Sequence, residues 1–286
     1  MQVDLWGNEI QSNKLKDRFL EPPFTVINAS SDRWNKRKRM WKELGIQSEI
    51  GRDAKVYNTL NYFVEKCGRE TVQSEISIFD PALCEVLYRW FVPDGGSILD
   101  PFAGGSVRGI VANYLGYKYT GIDIRPEQIE SNYEQSKVIL EPYNQPNWLV
   151  GDSNIVLDKI VSEFDFVFSC PPYADLEVYS DLEGDISNMD YNDFMVAYSS
   201  IINKACKLLK NDGLACFVVG EVRDKKGNYI GFVPDTIKAF KEAGLNYYNE
   251  AILCTPLGSA MLRANTCMKN KKLCKVHQNI LVFKKG

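Results

Sequence analysis

The chain of 286 residues contains one histidine, no run of 18 apolar residues and no pair of cysteines in Cys-x-x-Cys spacing. Each scarcity excludes something. A single His leaves little room for His-based metal or acid–base chemistry, so no metal site is expected. Without a long apolar run no membrane span is expected, and the polar opening at residues 1–10 does not read as a signal peptide. The eight cysteines, at 67, 84, 170, 206, 216, 254, 267 and 274, are scattered, several of them inside apolar patterns. Reduced, mostly buried thiols in a cytoplasmic protein are the simplest account of them.

What is present is ordinary for a globular chain: 45% hydrophobic and 25% charged residues. The length suits one α/β domain of about 200 residues with a smaller extension. A net charge of −3 argues against a nucleic-acid binder, but the distribution reverses that argument. Residues 31–58 hold eight basic side chains against four acidic, and residues 262–286 hold seven basic and no acidic. The acids gather instead between Asp175 and Asp190. A phosphate backbone responds to local patches, so the two basic stretches are candidate contacts, with plain solvated surface as the alternative.

Residues 1–75 show no clean alternation and read as an N-terminal extension, with one helix from Ser30-Ser31 to about Leu44 closed by Gly45. Trp34 and Trp41, seven apart, share a face flanked by Arg37 and Lys38. The helix either touches nucleic acid or packs on the rest of the chain by its tryptophans. From residue 76 strands and helices alternate, the signature of a parallel sheet. Strands are predicted at 97–100, 118–123, 147–150, 165–169, 214–220, 247–254 and 277–284. Helices are predicted at 81–92, 107–116, 126–141, 154–163, 191–210 and 233–243. The last two strands have no helix between them and are expected to pair antiparallel at one sheet edge, with 255–276 as a loop.

Two turns organise this domain. The strand at 97–100 ends in an acid and a glycine turn, Asp100-Pro-Phe-Ala-Gly-Gly105; the strand at 165–169 ends in Cys170-Pro-Pro-Tyr173. In an open parallel sheet both lie at the carboxyl edge, where ligands bind. With Phe79-Asp80-Pro81 upstream, these motifs resemble the S-adenosylmethionine-dependent DNA amino-methyltransferases, which carry Asp-Pro-Phe-x-Gly and then Asp, Asn or Ser followed by Pro-Pro-aromatic. The basic segment 34–41 and the close at 277–283 are similar to a phage- and prophage-type branch of that family. The resemblance implies a class I, Rossmann-like methyltransferase fold, an α/β architecture with a seven-stranded mixed sheet between helices. It also implies transfer of a methyl group to an exocyclic amine of adenine or cytosine in DNA.

It further assigns roles. Phe79, Asp80, Asp100, Pro101, Phe102, Gly104, Gly105, Asp123, Ile124 and Asp152 would hold the cofactor. In that assignment Asp100 accepts from the methionyl amine, directly or through water, Asp123 from the ribose hydroxyls and Asp152 from the adenine amine. Gly104 and Gly105 let the backbone approach closely, and a helix amino end at Ser106 follows. Cys170, Pro171, Pro172 and Tyr173 would form the catalytic turn. There the Pro171 carbonyl accepts from the target amine and Tyr173 stacks on a flipped base. Cys170 departs from the family, since a thiol accepts hydrogen bonds poorly. Ser169 does not replace it, because neighbouring strand residues face opposite ways. Asp175 could stand in for the missing oxygen, though the acidic loop 174–193 also reads as a solvated lid. Arg37, Lys38, Arg223, Lys269, Lys271 and Lys272 are the candidate nucleic-acid contacts. Target recognition falls to the extension, the loops at 174–190 and 255–276, or a protein partner.

Alternatives stay open. A Pro-Pro-Tyr turn suits any planar amine, so RNA or a protein glutamine could be the acceptor. Cys170 could have left a DNA-binding protein without activity. A thiol nucleophile for cytosine ring methylation normally follows its proline, and here it precedes it.

Overall fold

The structure is a computed structural model and describes residues 21–46, 79–172, 182, 184–224 and 226–286. One eight-stranded sheet runs through it. Its strands are β1 (Val26–Asn28), β2 (Ser97–Asp100), β3 (Lys118–Asp123), β4 (Asn147–Val150), β5 (Phe164–Ser169), β6 (Leu209–Val219), β7 (Leu245–Cys254) and β8 (His277–Lys285). Their order across the sheet is β1-β7-β8-β6-β5-β2-β3-β4. All neighbours are parallel except β8, which is antiparallel to both β6 and β7. Chain order reverses between β2 and β5, and such a switch point opens a crevice at the carboxyl edge.

The helices are α1 (Asp32–Glu43), α2 (Pro81–Phe91), α3 (Val107–Tyr114), α4 (Pro126–Ile139), α5 (Ser153–Val156), α6 (Tyr191–Lys207), α7 (Phe232–Glu242) and α8 (Gly258–Lys269). Strand residues alternate between two cores. Ile98, Phe166, Phe168, Cys216, Val218, Ile280 and Val282 face the layer of α1–α3. Leu99, Ile122, Val167, Phe217, Val219, Leu281 and Phe283 face that of α6 and α7. With both faces covered, the strands read as near-continuous apolar runs. This is the α/β class I methyltransferase fold expected from the motifs.

Four expectations are corrected. The β7–β8 pair is antiparallel, but β8 lies inside the sheet and β1, three residues of the extension, adds an eighth strand beyond β7. The β6 strand begins at Leu209, where a helix was expected to run to 210. A bulge at Lys210–Gly213, with Asp212 at φ 61°, carries its register from Phe164↔Leu209 to Phe166↔Leu214. The helix expected at 154–163 is one turn, α5, followed by a 3-10 turn over Leu157–Lys159. The loop expected at 255–276 contains α8.

The first helix is packed on the rest of the chain by its tryptophans. Ser31 caps its amino end, and Gly45 closes it at φ +96°. Trp34 and Trp41 are buried, and each indole donates to a carboxylate at the cap of α2 or within it. Trp34 Nε1 reaches Asp80 Oδ2 at 2.9 Å, and Trp41 Nε1 reaches Glu85 Oε2 at 2.7 Å. Arg37 clasps Glu85 with two nitrogens, one of them at 2.6 Å, and Lys38 lies 3.3 Å from Asp80. Arg37 and Lys38, expected to meet phosphate, are thus occupied in joining α1 to α2.

Glu85 has no exposed surface and also receives Arg89 at 3.2 Å. Removing it strands two guanidinium groups and an indole N–H. Glu85→Ala is therefore expected to lower the unfolding free energy by about 3 kcal/mol. Chemical denaturation measures this, with faster amide exchange in α1 as the local sign; a change under about 0.5 kcal/mol would refute the docking role.

Candidate active site

At the end of β2 the chain makes a turn whose polar groups are taken up from outside. Asp100 is fully buried and accepts four donors. Arg108 Nε donates at 2.6 Å and Tyr119 Oη at 2.7 Å to Oδ2; Ser169 Oγ at 2.6 Å and the Phe102 amide at 3.1 Å donate to Oδ1. That fills a carboxylate's capacity. Asp100, expected to accept from a methionyl amine directly or through water, has its acceptor positions filled within the protein and fastens the turn.

Arg108 completes the fastening. Its Nη2 donates to the carbonyls of Phe102 and Ala103, the latter at 2.8 Å. Ser153 Oγ at the start of α5 donates to the Pro101 carbonyl at 2.5 Å, and Asn132 Nδ2 on α4 to the Gly104 carbonyl at 2.7 Å. Four successive carbonyls, 101 to 104, are thus held by three helices. Gly104 sits at φ +52°, where a side chain would be strained, and its amide donates to Asp123 Oδ2 at 2.9 Å. Asn132 is itself steadied by Gln128, and Gln128 by Arg125. Burial is the largest single influence on the Arg108 pKa and lowers it, but Asp100, by charge and hydrogen bond, together with Tyr119 and Cys170, raises it more, so the guanidinium stays protonated. Burial, and then Asp100, push the Tyr119 hydroxyl well above its usual range, so it stays a donor.

The other cofactor candidates are placed as follows. Asp123, at the end of β3, is half-buried; its Oδ1 accepts the Arg125 amide at 2.9 Å. Asp152 follows β4 and caps α5 through the Asn154 amide at 2.8 Å. Ile124 and Asp152 share a wall with the returning acidic loop. A Cβ on Gly184 would lie 3.2 Å from Asp152 Oδ2 and 3.5 Å from Ile124 Cδ1. That end of the loop is anchored and not a solvated lid, for Asp185, Ile186 and Ser187 are buried. Phe102 turns toward Tyr198 and Phe217. Phe79 lies under the Arg108 guanidinium, 4.9 Å from ring centroid to Cζ. Asp80 caps α2 through the Ala82 amide and accepts from Trp34, with Lys38 beside it. Pro101 and Gly105 lie within the turn.

The second turn is adjacent. The β2 and β5 strands pair through Ile98↔Phe166 and Leu99↔Val167, so Asp100 and Ser169 end side by side. Ser169 points inward to Asp100, as alternation requires. Cys170 is half-buried against the apolar core, Pro171 is buried and Pro172 half-buried. Tyr173 and Asp175 lie outside the described residues. Of the basic candidates, Arg223 stacks on Tyr229, 3.9 Å from the centroid, and donates to the Gly227 carbonyl at 2.6 Å. It shapes its own loop instead of facing outward for phosphate. Lys272 lies against Gly227, while Lys269 and Lys271 are exposed.

No family model matches the sequence, and no curated protein matches it. Solved structures of similar outline include TrmN from Thermus thermophilus, at 14% identity over 73% of this chain and 49% of that one, TM-score 0.49. Others are magnesium protoporphyrin IX methyltransferase from Synechocystis PCC 6803 with bound SAM (13%, 84% and 98%, TM-score 0.48) and a methyltransferase from Pyrococcus furiosus (14%, 79% and 95%, TM-score 0.47). The chain spans about half the length of TrmN. Identities this low say nothing of substrate or residue roles; the fold's class is given by the sheet's own order.

Arg108, Tyr119 and Asn132 are the site's unforeseen members. Arg108 is the one charge in the apolar helix Val107–Tyr114, eight residues after Asp100, and that isolation was its signal. Arg108→Met leaves a buried carboxylate short of its cation and should cost about 3–5 kcal/mol. Tyr119→Phe removes one neutral donor and should cost only about 1–2 kcal/mol. Equal losses for the two in denaturant titrations would contradict this account of the turn.

Proposed function

We propose that this chain is an S-adenosylmethionine-dependent methyltransferase acting on an exocyclic amine of adenine or cytosine in DNA. One observation carries the reading: a glycine turn with preset carbonyls and a Pro-Pro turn end adjacent parallel strands at the switch point, with acids at the next two strand ends. The first turn suits a nucleotide-like cofactor and the second a planar amine. The resemblance of both motifs to the DNA amino-methyltransferases favours DNA over RNA or protein.

The cofactor, when bound, supplies an activated methyl carbon; the remaining work is positioning and electrostatics. Asp123, half-buried beside the Gly104 amide, would accept from ribose hydroxyls. Ile124 and Asp152, at the ends of β3 and β4, are the side chains that the resemblance puts beside the adenine. The Pro171 carbonyl would accept a hydrogen bond from the N–H of the target amine, which directs the nitrogen lone pair. Tyr173 supplies a stacking surface for the base. Cys170 contributes shape more than hydrogen bonding, because its sulfur offers the amine little.

Titration calorimetry should detect cofactor binding by the wild-type chain, and Asp123→Ala should weaken it by about 1.5–3 kcal/mol. Absence of binding by the wild type would end this reading.

Labelled methyl transfer to DNA and RNA, followed by hydrolysis to nucleosides, should give label in an amino-methylated deoxynucleoside. Cys170→Ser should keep or raise the rate, and Cys170→Ala should stay within about tenfold. Abolition of turnover by both changes, together with a covalent adduct on cytosine in the wild type, would make the thiol a nucleophile and overturn the amine assignment.

A further inference from the structure

The α8 helix is built the wrong way round for a helix packed on its own protein. A surface helix normally buries an apolar stripe and shows its polar face. In α8 Ala260 is buried and Cys267 half-buried, while Met261, Leu262 and Met268 are 70%, 63% and 77% exposed. Leu257 before it and Leu273 after it are 55% and 84% exposed. Met261 and Met268, seven residues apart, share a face, with Leu262 beside it. No side chain caps its amino end. Twelve residues are marginal as an isolated helix in water. Its carboxyl end is nonetheless firmly turned. Lys271 takes φ 52°, its amide bonds to the Met268 carbonyl at 3.0 Å, and the Lys272 amide bonds to the Cys267 carbonyl at 2.8 Å. An apolar cluster of this size held in water marks a surface that meets something.

Charge and position indicate what. No acidic residue occurs from Thr255 to Gly286, and Arg263, Lys269 and Lys271 are exposed on or just after the helix. The segment leaves β7 and enters β8. Because β7 runs parallel to β6 and β5, it rises from the same sheet edge as the Gly104 and Pro171 turns. Lys272 against Gly227 ties it to the loop after β6 at that edge. The occupant must offer anions beside apolar faces, next to a site for a planar amine.

We propose that α8 and the turn after it form a docking arm for duplex nucleic acid. Lys269, Lys271 and Arg263 hold phosphates, and Met261, Leu262 and Met268 enter a groove as an apolar wedge between base steps. About 18 Å long, the helix spans roughly five base pairs. Wedging unstacks neighbouring pairs, which lowers the work of turning a base out toward the Pro-Pro turn. The arm rests on the nucleic-acid reading above and names the form of the substrate, a duplex, and the surface that meets it.

The test uses the full chain and a random-sequence 40-base-pair DNA duplex, followed by fluorescence anisotropy over a salt series. The double variant Lys269→Gln/Lys271→Gln should reduce the slope of log affinity against log salt by about 1.8, some 0.9 per phosphate contact. The triple variant Met261→Ser/Leu262→Ser/Met268→Ser should keep the slope but lose several-fold in duplex affinity. Its methyl transfer should fall about tenfold more on native than on heat-denatured DNA. All these side chains are exposed, and unchanged circular dichroism and cofactor binding confirm that the variants fold. If the wild type binds no duplex, or both variants bind and methylate as it does, the arm is overturned; methylation of DNA in the latter case leaves the enzyme reading standing. If the triple variant spares DNA binding but abolishes self-association in sedimentation, the helix docks protein and the proposal falls. Cofactor binding without methyl transfer to any nucleic acid would end the substrate reading, whatever the anisotropy shows.

Discussion

The contact between Asp100 and Arg108 is the constraint on which the site depends. A carboxylate at a strand tip in an apolar interior is costly unless its charge is met and its lone pairs filled. Arg108 meets the charge, and Tyr119, Ser169 and the Phe102 amide fill the remaining positions. The same guanidinium then reaches past the acid to two carbonyls of the turn. One buried cation thereby sets the path of the backbone between β2 and α3. Serine at 169 makes the neighbouring strand end part of the same assembly, so the two turns are held in a common frame before any ligand arrives. Such preorganisation is what a reaction governed by positioning requires.

A second pair of carboxylates does for the extension what Asp100 does for the turn. Asp80, the cap of α2, and buried Glu85 within it lie directly upstream of β2, and each gathers an indole and a cation from α1. The polar contacts fix the register of two helices whose apolar packing would tolerate sliding. A string of basic residues in sequence is therefore only partly a basic surface in space.

How much of this was legible follows from the range of the interactions. The interior strands announced themselves because a sheet covered on both faces needs unbroken apolar runs, and β2, β3 and β4 begin and end where their turn residues say. Pro81 and Pro126 stand in first helical turns, and Asp80 and Asp190 cap α2 and α6, so those helix starts rest on local chemistry. The α8 helix escaped because it lacks a cap and an inward apolar stripe, the two local signs of a helix. The β1 strand escaped because three residues carry no period. The inward commitment of Asp100, Asp80, Arg37 and Lys38 could not be read, since their partners are placed by the fold and all four have a contact more than 40 residues away. The acids at the strand tips were correctly located as positions; which of them turn outward is decided by packing.

The short β1 strand has a bearing on solubility. A sheet that ends in a ten-residue strand presents a row of unpaired amides and carbonyls to any other extended chain. The β7 strand would be that edge. It is blunted in two ways: β1 pairs with its last three residues, Ile252 to Cys254, and a bulge between Tyr247 and Asn249 bends the remainder. At the opposite margin β4 is only four residues long. Both borders of the sheet are thus poor templates for strand addition, and the segment before α1 acts as a selvedge that keeps copies of the chain from knitting together.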